Sequence, residues 1–103
     1  MRDSRIEPLA FEDFADRLGE LFAIREPDAP AMPLTLTGAE ALPARHGLPA
    51  GRPPFSLRFL ARDPRVLPQK LYRLQHAELG PLTIFLVPIA KDAQGVSYQA
   101  TFN

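Results

Sequence analysis

Two histidines, His46 and His76, and three serines, Ser4, Ser56 and Ser97, are the side chains with the most chemical reach in this chain. A histidine beside a carboxylate can serve as a general base. Glu78 lies two residues after His76 and is one candidate partner. The other reading of His76 is a hydrogen bond that fixes the turn after a strand. His46 sits between Arg45 and Gly47 in an irregular stretch and reads as a loop side chain. None of the serines lies in a G-x-S-x-G elbow, so an α/β-hydrolase triad has no support. There is no cysteine, which removes thiolate zinc sites, cysteine nucleophiles and disulfides together. The spacings H-x-x-x-H and H-x-H are absent, as are a phosphate loop and G-x-G-x-x-G. The sequence thus gives no catalytic set, no metal site and no cofactor.

The remaining chemistry is that of arginine. Ten of the twelve basic residues are Arg, and only Lys70 and Lys91 are Lys. With 14 Ala and 12 Pro, this is the composition of a G+C-rich bacterial coding bias; the alternative is guanidinium binding of anions. The formal net charge is zero, which argues against a domain driven onto nucleic acid by charge. The charges are nevertheless segregated. Residues 1–31 hold four Arg against eight acids, and residues 32–103 hold eight basic residues against four acids. Over 45–73, seven basic residues face only Asp63. Three uses compete for this asymmetry: pairing within one molecule, head-to-tail association of copies, and an anionic ligand. Arg45, His46, Arg52, Arg58, Arg73 and His76 are the candidate binding residues.

These side chains must be held by a small fold. The 103 residues suit one domain and one modest core. Residues 1–8 read as a loose lead-in segment. Phe11, Phe14, Ala15 and Leu18 recur at i, i+3, i+4 and i+7, one face of a two-turn helix that Gly19 stops. The period then changes to two. Short strands are expected at 21–24, 34–37, 55–59, 71–75, 82–87 and 96–102, with Pro and Gly between them. Residues 38–54, with three Gly and four Pro, form the longest irregular stretch and read as either a functional loop or a mobile one. Short turns make neighbouring strands antiparallel. The fold class is mainly β (α+β): a small antiparallel barrel or compact sandwich of six strands with one short N-terminal helix. Arg58 and Arg73 fall on outward positions of strands expected to be neighbours. Residues 82–87 are apolar on both faces except at Thr83, so both faces should be covered, the second by the helix or by a partner subunit. A strand running to the chain end offers an edge for β-augmentation.

The C-terminal half reads Leu67-Pro68-Gln69-Lys70-Leu71-Tyr72-Arg73-Leu74-Gln75-His76-Ala77-Glu78-Leu79-Gly80, then Phe85-Leu86-Val87-Pro88, then Tyr98-Gln99-Ala100-Thr101-Phe102-Asn103. This resembles a bacterial family, of about this length, catalogued only as a domain of unknown function. Its pattern is L-P-Q-G-x-Y-x-L-x-H-P-x-L-G, F-L-V-P-V and Y-x-A-x-F-N. Phe11, Phe14, Leu18-Gly19 and Phe22 fit its opening. Lys70 stands where the family favours Gly, and Ala77 where it favours Pro. The resemblance implies no established activity. It implies an association with phage tail-collar proteins, hence a non-enzymatic accessory part of a tail-fibre-like assembly. The alternative is a small ligand-binding domain or minor enzyme using the barrel mouth and the 38–54 loop. A protein partner or homo-oligomer is therefore expected, without nucleic acid and without membrane insertion. With no signal core read at the N-terminus, a cytoplasmic location is the expectation, with incorporation into a tail-like particle as the alternative.

Overall fold

Six runs of alternating apolar and polar residues become six strands, because alternation puts one set of side chains on one side of a pleated ribbon. In the computed structural model, which describes residues 9–27, 31–43 and 54–102, helix α1 spans Glu12–Ala15. The strands are β1 (Leu21–Ile24), β2 (Met32–Ala41), β3 (Phe55–Ala61), β4 (Lys70–His76), β5 (Gly80–Asp92) and β6 (Gly95–Phe102). Every pairing is antiparallel, and the order β1-β2-β3-β6-β5-β4 closes on itself as a barrel. The barrel's inner wall is Phe22, Ile24, Leu34, Leu36, Phe55, Leu57, Phe59, Tyr72, Leu74, Leu82, Ile84, Leu86, Val96, Tyr98 and Ala100, all buried.

Both ends are plugged. At one end α1 inserts Phe14, fully buried, among Phe22, Phe55 and Phe102 at ring distances of 6.1, 5.9 and 6.2 Å. At the other end the β3–β4 connection must pass β6 and β5, and it crosses the opening. There the Leu67 N–H donates to the Tyr98 hydroxyl at 3.0 Å, and the Tyr72 hydroxyl donates to the Pro68 carbonyl. Burial pushes the Tyr72 phenol up. The mouth that the ligand-binding alternative relies on is therefore filled at both described ends by the chain's own side chains.

The structure revises four expectations. The helix is one turn, not two. Arg17 N–H closes a tight bond to the Phe14 carbonyl, Gly19 takes φ +89°, and the Gly19 N–H and Glu20 carbonyl then bond to Leu36 of β2. The sheet captures the chain before a second turn forms, and Leu18 is left 55% exposed. Second, β2 continues to Ala41 through a bulge between Leu36 and Gly38, so the irregular stretch begins at 42 rather than 38. The Leu42 N–H bonds the Pro54 carbonyl at its base, and residues 44–53 lie outside the described residues, as do 1–8. Third, β6 lies between β3 and β5 and is not an edge strand. Fourth, α1 sits at the barrel end and leaves the outer side of β5 uncovered. Among the described residues, no helix is long and apolar enough to cross a membrane.

Candidate functional site

His76 is the last inward-facing residue of β4 and is 3% exposed. Its Nδ1 receives the backbone N–H groups of Glu78 and Leu79, each at 3.0 Å. An atom that accepts two N–H groups carries no hydrogen, so Nε2 does, and it donates to Glu20 Oε1 at 2.7 Å. The ring packs on Phe22 at 4.4 Å between centroids. Arg17 closes the group by donating to Glu20 at 3.4 Å and to Glu78, and its Nε donates to the Asp13 carbonyl. Hydrogen bonding from Arg17 draws the Glu78 carboxyl below the usual carboxylate range. The carboxylate partner of His76 is Glu20 and not Glu78, and both ring nitrogens are consumed. The arrangement ties the α1–β1 connection to the β4–β5 turn. It leaves no free nitrogen to take a proton from a substrate.

Arg58 and Arg73 are exposed on outward positions, as expected, but they are not neighbours. β3 and β4 stand three places apart in a ring of six, on opposite sides of the barrel. Connection length misled here: 62–69 crosses the barrel end instead of turning back on β3. Arg58 lines an open hollow of about 400 Å³ with Thr37, Glu40, Ser56 and Gln99, beside the β2 bulge. Arg45, His46 and Arg52 lie outside the described residues. Among the described residues, no group of three His, Asp or Glu side chains is arranged to hold a metal ion.

Arg73 belongs to a different surface. The register places Leu71 of β4 directly opposite Phe85 of β5 on the outside of the barrel. They are 60% and 46% exposed. Directly opposed side chains on one face act as a unit. Lys70 and Arg73 flank Leu71 in sequence, and the Arg25 N–H bonds the Arg73 carbonyl, which brings Arg25 alongside. Lys70 lies on the other side of β4, its ammonium 5.1 Å from the ring centre of the inward-facing Tyr72. None of Lys70, Arg73 and Arg25 has an acidic side-chain partner among the described residues, although the Arg73 N–H bonds Glu26 Oε2 at 2.8 Å. The result is an outward apolar pair with Arg73 and Arg25 beside it and the Glu26 carboxylate held against the Arg73 backbone. The sequence held a signal for this surface: a hairpin centred on Glu78 sets 71 opposite 85.

A family profile described as "Domain of unknown function (DUF6916)" matches residues 9–102, nearly the whole chain. The chain belongs to the DUF6916 family. The match spans α1 through β6, so the DUF6916 domain includes the Phe14 plug, the His76 tie and the Leu71–Phe85 face. Searches of curated proteins and of solved structures return no significant match.

Proposed function

We propose that this DUF6916 domain is a non-enzymatic interaction module, an accessory component of a larger protein assembly. One observation carries the reading: Leu71 and Phe85 are paired and exposed on the outer wall of a barrel whose interior is full. Large apolar side chains held side by side in water mark a docking face more often than isolated ones do. The way His76 is spent on scaffolding supports the same reading. A phage-tail or tail-fibre-like particle is the setting that the chain's motif resemblance suggests.

The test is affinity capture from native host extract, comparing the wild-type protein with a Leu71→Ser/Phe85→Ser variant. Both changes lie on the outer wall and should leave the fold intact by circular dichroism. The expected result is a defined set of assembly proteins, fibre or collar components among them, retained by the wild type and lost by the variant. Identical recoveries would refute the reading. A small-ligand role has one observation in its favour, the hollow around Arg58. Binding of a small anion that an Arg58→Ala change abolishes would establish it.

A further inference from the structure

The plugged end of the barrel differs in character from the β4–β5 wall. Glu12, Asp13, Asp16, Glu20 and Glu78 gather around α1 and the β4–β5 turn, with Arg17 the only cation among them in the described residues. Glu12 and Asp16 are exposed and have no cationic partner among the described residues. The same end presents one large apolar side chain, Leu18, at 55% exposure; Leu21 instead lines a hollow with Arg62 and Arg65. One surface is thus an exposed leucine, Leu18, among acids, and the other an apolar pair beside Arg73 and Arg25.

We infer that the occupant of the Leu71–Phe85 face is the acidic, α1-bearing end of a second copy of this chain. This rests on the interaction reading above and names its partner. Opposite potentials across apolar centres favour that docking and disfavour either surface meeting itself. The two surfaces differ, so the contact is heterologous. A docked pair still offers one unused face of each kind, and copies add head to tail until a ring closes or a filament grows. A repeating element of a larger particle would need that property.

Two charge-reversal variants test it in sedimentation velocity runs. One is Glu12→Lys/Asp16→Lys at the acidic end. The other is Arg25→Glu/Arg73→Glu on the wall. All four positions are exposed. Wild-type protein should gain mass with concentration up to about 1 mM at low salt, and raising salt from about 50 to about 300 mM should disperse it, because exposed charges are then screened. Each variant alone should dissociate about 100-fold more readily, since like charges now face each other. An equimolar mixture should associate again, because each reversed face meets its complement on the other variant. Restored association also shows that both variants are folded.

Three results would overturn the inference: a wild type that stays monomeric, variants that associate as the wild type does, or a mixture that remains monomeric. The second would instead indicate the apolar wall docking on itself. A monomeric wild type removes the self-docking alone. The interaction reading falls separately, when extract capture does not distinguish wild type from the Leu71/Phe85 variant.

Discussion

Replacing His76 with Phe separates scaffold from chemistry at the most reactive side chain described. Phe keeps the ring packed on Phe22, where the histidine ring sits 4.4 Å away. It deletes three hydrogen bonds. The Glu78 and Leu79 N–H groups lose the acceptor they share at 3.0 Å. A buried donor left unsatisfied costs about 1–3 kcal/mol, and donors in a partly buried turn belong near the lower end. Glu20 loses the Nε2 donor, but its side chain is 42% exposed and can turn to water, so its share is small. The expected loss is about 2–4 kcal/mol, with the two turn donors dominant. For a domain of this size that lowers Tm by about 10–25 °C. His76→Asn should recover about half of the loss, because its amide oxygen can reach the place of Nδ1 and accept from the turn. Urea unfolding followed by far-UV circular dichroism measures both. The chain has no tryptophan, so tyrosine emission is the second probe. A Phe variant within about 0.5 kcal/mol of wild type would refute the reasoning, as would an Asn variant no better than Phe.

Two further outcomes are expected. Gly95 has φ +140°, and a Cβ there would lie 1.9 Å from the Ala61 carbonyl oxygen, so Gly95→Ala must displace the end of β3. Gly80 has φ +79° with nothing within 4 Å of that position, so Gly80→Ala carries backbone strain alone, about 1–2 kcal/mol, and the Gly95 variant should lose clearly more in the same urea titration. Arg65 hydrogen bonds hold the Asp63 carboxyl at about 2, below its ordinary value. A carboxyl depressed in the folded state stabilises the fold above its unfolded value and ceases to do so as pH falls through the folded one. The stability difference between wild type and Asp63→Asn should therefore be constant above about pH 4 and shrink towards pH 2. A difference independent of pH across that window would exclude the Arg65 bond as its source.

The strands were legible in the sequence because alternation is a local property. Phe55, Leu57 and Phe59 face inward, as do Tyr72 and Leu74, and each can be read without knowing any neighbour. The expected strand at 21–24 matches β1 residue for residue. What the pattern could not carry was non-local. Leu18 continues the helical spacing of Phe14, yet the backbone of Leu36 claims Gly19 and Glu20 first. Gly38 looks like a loop residue, and only its partner Arg58 shows it to be the far side of a bulge. Arg58 and Arg73 read as neighbours because strand order in a ring is set by how connections cross the ends. His76 was readable as a turn-holding residue, since the N–H groups that donate to its ring lie two and three positions on. Its partner Glu20 is 56 residues away and had no signal.

The ring of strands also bears on aggregation. Residues 82–87 have the length and apolar character that can template cross-β stacking between chains. In the barrel, Gly80–Leu86 is paired with β4 along its length, and Pro81 and Pro88 bracket the segment with positions that cannot donate to an added strand. An open sheet would have to guard such a strand with charge, which would spoil the apolar outer wall. Closure protects the backbone instead, and so leaves Phe85 free to be exposed without making its strand adhesive along the main chain.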